Sequence, residues 1–225
     1  MNDSPPTKAN GVLALILLVS PFYLNDFASI FIKDWRLWLL VDFAAVKLLP
    51  ALALLWLIRS RQMRPAAFGL TAQRAPAFLT TFLAVALVGT VIDQNGYALL
   101  AGLPGYPALG GMPAITNPFW NGADLTLGLL AVGILEELVF RGFLHDFLRR
   151  YTTNPAAIVT VSAAAFGLIH WSQGLNAVLV TAVIGAVFML AYLRTRSLPA
   201  IMLAHVMINV IDFAGVIPKA IFKLL

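Results

Sequence analysis

Glutamate occurs only twice in the 225 residues. Both copies are adjacent, as Glu136 and Glu137 in the stretch Ile134-Leu135-Glu136-Glu137-Leu138-Val139-Phe140-Arg141. A charge placed in hydrocarbon costs about 2.5–3.5 kcal/mol on insertion scales. A chain that keeps both glutamates inside one apolar segment is therefore not using them for solubility. Consecutive helical residues project roughly 100° apart, so the two carboxylates have different jobs. Glu137 and Arg141 are spaced i,i+4 and can pair on one helix face, whereas Glu136 points elsewhere and has no local partner. The plain alternative is a buried ion network that only pins helices together.

Two further pairs lie in later apolar stretches. His170 follows Phe166 by four residues, and Asn209 follows His205 by four. The second pair must project from one face of its helix. Both residues are costly in lipid, so that face should look into a bundle. Asp212, seven residues after His205, could orient its ring as carboxylates orient metal-bound imidazoles, or could sit at the outer interface. His145 falls beside Arg149 and Arg150 and reads as interfacial. Asp42 and Lys47 are spaced i,i+5, too far round an α-helix for an ideal pair, and read as a structural contact between helices.

An isolated carboxylate, two histidines, a carboxamide and a buttressing ion pair permit two designs. In one, Glu136 and a histidine deprotonate a water, while the other histidine and Asn209 donate hydrogen bonds to the oxyanion of an attacked amide. Donors of that kind are worth roughly 3–4 kcal/mol each in a dry site. In the other, Glu136, His170 and His205 hold a zinc ion that activates the water. The sequence has no H-E-x-x-H motif, so such a site would draw on three separate helices. There is no cysteine and no obvious serine or threonine nucleophile turn, so covalent proteolysis has little support.

The elements that must position these residues follow from composition. Hydrophobic residues make up 60% of the chain and charged ones 11%, against roughly 25% charged in soluble domains. This excludes a soluble globular domain and a disordered chain. The pattern predicts an all-α polytopic membrane bundle of about seven transmembrane helices, forming one integral membrane domain over 1–225. Spans are expected at Gly11–Ile32, Leu37–Ile58, Pro76–Asp93 (extending towards Leu100), Asp124–Leu148, Pro155–Trp171, Leu175–Leu193 and Leu198–Val216. A polar tail with Pro5 and Pro6 precedes them, and a loop rich in Gly, Pro and Asn covers Ala101–Gly122. Lys8, Arg59, Arg61, Arg64, Arg74, Arg149, Arg150, Arg194 and Arg196 fall on one side. Lys33, Arg36, Lys219 and Lys223 fall on the other. Nine against four places the N-terminus in the cytoplasm. The net charge of +5 is then a topology signal, and it gives no ground for a nucleic-acid partner. The tryptophans Trp35, Trp38, Trp56, Trp120 and Trp171 fall mostly near span ends and read as an aromatic belt. One conflict arises: counted along the helices, His170 lies about 22 Å above the cytoplasmic end of its span and His205 only about 10 Å above its own.

Three motifs thus occur in order on separate spans: E-E-x-x-x-R at Glu136, Glu137 and Arg141; F-x-x-x-H at Phe166 and His170; H-x-x-x-N at His205 and Asn209. Together with Arg196-Ser197-Leu198-Pro199-Ala200-Ile201, they resemble the CAAX-protease and bacteriocin-processing (abortive-infection) family of intramembrane glutamic endopeptidases. The resemblance covers about Leu125–Ile211, within a motif-bearing core of about 124–216. It implies that Glu136 is the general base, with His170 sharing the activation of water. His205 and Asn209 would form the oxyanion hole, Glu137 and Arg141 a supporting pair, and Phe166 would pack beside the site. It implies no cofactor, although zinc on Glu136, His170 and His205 stays open. It further implies a membrane-associated protein or peptide as substrate and a bacterial inner membrane as location. Prenyl-protein processing members have eight spans where seven are counted here. A zinc protease, a transporter or proton relay, and a non-catalytic scaffold are the competing functions. A relay would spread ionisable groups through both leaflets and repeated halves; a degenerate scaffold would have lost a motif residue.

Overall fold

The computed structural model describes residues 8–60, 68–70, 73–215 and 217–224. Pro5, Pro6, Arg61, Arg64 and the expected span end at Val216 lie outside the described residues. Among those described, the chain is all helical and has no strand. Seven continuous helices run α1 Lys8–Phe31, α2 Trp35–Arg59, α3 Ala75–Leu100, α4 118–148, α5 Pro155–Leu168, α6 Leu175–Thr195 and α7 Leu198–Ala214. Helices α1, α2, α3 and α6 are long and apolar enough to cross a membrane, and α5 and α7 are shorter apolar helices. Outward-facing leucines such as Leu13, Leu52, Leu83 and Leu190 are half or more exposed. That is the surface expected of a bundle whose solvent is lipid.

Local chemistry sets the helix starts. Asp34 caps α2 by accepting from the backbone N–H groups of Arg36 and Leu37. Asn117 and Asn154 cap α4 and α5 in the same way, each followed by a proline in the first helical turn. Capping satisfies N–H groups that a helix cannot satisfy itself, and a proline there loses no hydrogen bond.

Two departures from regular α-helix matter for the site. Within α2 the segment Asp42–Leu48 is π-helix, whose repeating bond runs i→i+5. Residues five apart then stack one turn above another, and Lys47 donates to Asp42. The expectation of a contact between helices is thereby corrected: the pair closes within one helix. Within α4 the segment Leu138–Phe143 is also π-helix, and it begins directly after Glu137.

Small residues bring the helices close. A Cβ added to Gly133 on α4 would come within 2.8 Å of the Val206 side chain on α7 and 3.2 Å of its backbone nitrogen. The bare glycine therefore lets α4 approach α7 one turn before the two glutamates. The helix α5 has 14 residues, about 21 Å of rise, short of the roughly 30 Å of hydrocarbon. His170 lies just beyond its end, outside the helix that was expected to contain it. The two histidines meet all the same, since both rings pack against Phe166, so depths counted from each helix start do not describe how the helices are offset in the bundle.

Candidate active site

Glu137 is fully buried and lies at the centre of the polar interior. Its Oε1 accepts from Arg141 Nη1 at 3.0 Å and lies 2.8 Å from His205 Nδ1. One carboxylate oxygen therefore holds both the arginine one turn along α4 and the histidine on α7. Glu136, on the adjacent face, has no such clamp; its Oε2 lies 3.8 Å from His205 Nε2. The two edges of the His205 ring thus face two carboxylates.

Arg141 has no exposure to solvent. Besides Glu137, it donates from Nη2 to the Gly185 carbonyl at 3.2 Å. Its guanidinium lies 4.1 Å from the Phe166 ring centroid and 5.0 Å from that of Phe188. A side chain on Gly185 would press on Phe166 and on the guanidinium, so the glycine keeps this slot open.

His170 ends α5. Its Nδ1 lies 3.1 Å from the Phe166 carbonyl, one of the carbonyls a helix end leaves without an internal partner. With Nδ1–H donating there, Nε2 is left as an acceptor. The rings of His170 and His205 both pack edge-on against Phe166, at centroid distances of 5.5 and 5.8 Å. Glu136, Phe166, His170, His205 and Asn209 all line one chamber of about 360 Å³. The structure therefore brings together every residue singled out by motif, with Glu137 and Arg141 immediately behind.

Asp212 does not face His205; it accepts from Lys219 at 2.6 Å and from Gln94 at 3.5 Å. His145, at the arginine-rich end of the bundle, is buried, packed against Tyr192 and 3.4 Å from Arg196. Trp38 is buried and donates to Ser29, and Trp171 donates to the Tyr23 carbonyl at 3.0 Å.

Trp171 belongs to a clamp that the motifs did not reveal. Asp26 on α1 is buried and accepts from the Ser172 backbone N–H at 2.7 Å. Phe27 packs against Trp171, and the Tyr23 hydroxyl donates to the Ala165 carbonyl at 2.8 Å. Helix α1 thus grips the turn that carries His170 on both sides of the histidine. Its sequence signal was an aspartate inside an apolar span. Phe188 carried no signal, because a phenylalanine in a membrane helix is ordinary.

Among the described residues, no three His, Cys, Asp or Glu side chains are grouped so as to hold a metal ion. Nδ1 of each histidine is engaged, with Glu137 or with the Phe166 carbonyl, which leaves Nε2 of both rings as the nitrogens that would meet a water or a metal.

Residues 118–211, which run from the start of α4 into α7, match the Rce1-like family, described as type II CAAX prenyl endopeptidase Rce1-like. No curated protein and no solved structure matches the chain.

Proposed function

We propose that the chain, whose residues 118–211 match the Rce1-like family, is a member of the CAAX-protease and bacteriocin-processing family and an intramembrane endopeptidase of the glutamic type. It hydrolyses a peptide bond of a membrane-associated protein or peptide. The observation that carries this reading is the division between the two glutamates. Glu137 is locked between Arg141 and His205, while Glu136 faces the chamber with only the His205 edge near it.

In this mechanism Glu136 accepts a proton from a water that His170 Nε2 also holds. The oxygen attacks the scissile carbonyl, and charge develops on the carbonyl oxygen. His205, in its doubly protonated form, donates Nδ1–H to Glu137 and offers Nε2–H to that oxygen. The Asn209 carboxamide is the second donor. Glu136 then returns the proton to the leaving amine. Glu137 does not exchange protons with substrate; it fixes the angle of the His205 ring, as a buried carboxylate does for a catalytic histidine elsewhere. No step uses a metal.

The test is a comparison of membrane fractions from cells making the wild-type chain or Glu136→Gln, incubated in H2¹⁸O. The wild type should generate new peptide ends whose carboxylates carry one ¹⁸O, and the variant should not. Identical peptide ends in both fractions would overturn the reading.

A further inference from the structure

We infer that the chamber opens away from the cytoplasm. The substrate then presents its scissile bond on the non-cytoplasmic side, as the membrane-proximal segment of an exported or membrane-anchored peptide. This rests on the peptidase reading and adds the side of the membrane to it.

On α1, which leaves the N-terminus, the chamber is lined by the second half, at Asn25 and Asp26. On α2 it is lined by the first half, at Asp42 and Lys47, and on α3 by the last third, at Asp93 and Tyr97. The alternation continues from Asn121 at the start of α4 down to Glu136 just past its middle, then His170 after the end of α5, Thr181 early in α6 and Asn209 late in α7. Successive helices run in opposite directions, so all seven contributions fall at one end of the bundle, the end opposite the N-terminus. The long connection 101–117 folds over this same end. Leu109 N–H donates to the Ser172 carbonyl, Leu175 N–H donates to the Tyr106 carbonyl, and Met112 and Ile115 reach the chamber wall.

The other end gathers the N-terminal start of α1 and three connections. Gly11 lies against Phe147 and Arg150. Gln73 donates to the Thr195 carbonyl at 2.9 Å, and Arg196 lies 3.4 Å from His145. This end holds Arg59, Arg74, Arg149, Arg150, Arg194 and Arg196, and the sequence adds Lys8, Arg61 and Arg64 to the same flanks. The chamber end holds Lys33, Arg36, Lys219 and Lys223. Basic residues close to span ends set orientation because they resist transfer across the membrane. Nine against four keeps the arginine end in the cytoplasm and turns the chamber outward. The C-terminus of a cytoplasmic protein would then arrive at the arginine end, which contributes no residue to the chamber.

The absence of cysteine makes the test direct. Single cysteines are placed in the full chain at Gly111, exposed in the connection over the chamber with open space around it; at Asn121, exposed on the chamber wall; and at Thr153, exposed at the arginine end. Spheroplasts are treated with a membrane-impermeant maleimide before and after permeabilisation. Gly111→Cys and Asn121→Cys should label at least tenfold faster than Thr153→Cys in intact spheroplasts, and the difference should vanish on permeabilisation. The inverse pattern, equal labelling before permeabilisation, or labelling of Gly111→Cys without Asn121→Cys would each overturn the inference. The readout needs no activity, so inverted labelling removes the assignment of side alone. Correct labelling of a chain that cleaves nothing removes the peptidase reading instead.

Discussion

Replacing Glu137 by glutamine keeps the shape of the side chain and removes one charge from the pair with Arg141. Both partners are wholly buried, and the Nη1–Oε1 distance is 3.0 Å. At an effective dielectric of about 20, two unit charges at that distance attract by about 5–6 kcal/mol. The glutamine oxygen can still accept a hydrogen bond, and Arg141 keeps the Gly185 carbonyl and two aromatic faces. The expected loss is therefore about 3–5 kcal/mol, the range for leaving a buried charge without its partner. At roughly 2–4 °C per kcal/mol for a chain of this size, the midpoint of thermal unfolding should fall by on the order of 10 °C. Tryptophan fluorescence of the purified protein in detergent measures this. Glu137→Gln combined with Arg141→Met should regain at least half of the loss, because the uncompensated charge is then gone. A midpoint within about 2 °C of wild type for Glu137→Gln alone, roughly 1 kcal/mol, would refute the claim that this carboxylate holds the interior together.

Three other outcomes follow from the geometry. Asn209→Ala should lower kcat by about 10²-fold with KM little changed, since an oxyanion donor acts mainly in the transition state; a large rise in KM at constant kcat would make Asn209 a substrate-binding residue. Asp26→Ala should lower kcat by about tenfold, on the order of 1.4 kcal/mol, by loosening the turn that carries His170, and Asp26→Asn, which still accepts from Ser172 N–H, should recover most of it. Steady-state assays of the two variants decide this, and equal defects would show that the charge matters rather than the hydrogen bond. Gly133→Val should cost both stability and activity by forcing α4 away from α7, read as a lower unfolding midpoint together with lower kcat; an unaffected protein would refute the close-approach argument.

The fold was largely legible in the sequence because lipid imposes a simple rule: an apolar run of the right length must close its own hydrogen bonds, and a helix does so. The seven helices lie close to the expected spans for that reason. The pairing of Glu137 with Arg141 was legible from i,i+4 spacing alone. The pairing of Asp42 with Lys47 was not, because a spacing of five marks neighbours only in a π-helix, and nothing in the residues announces that winding. His205 meeting Glu137 was equally hidden, since it depends on Gly133 letting two helices touch. The clamp from Asp26 and Tyr23 on the His170 turn is a contact across more than 140 residues of chain. A chain read one segment at a time shows the aspartate but not its partner.

The central claim is that Glu136 itself activates the water, without a metal. The most direct measurement is turnover of one membrane peptide by wild type and Glu136→Gln after chelation, with bound metal quantified in the same samples. The wild type should hold less than one zinc per chain and keep its kcat. Glu136→Gln should lose at least 10³-fold in kcat while its unfolding midpoint stays within about 2 °C of wild type, roughly 1 kcal/mol, since this side chain clamps no other. A chain that retains one zinc, or turns over only when zinc is restored, would contradict it, and so would a Glu136→Gln variant cleaving within tenfold of wild type.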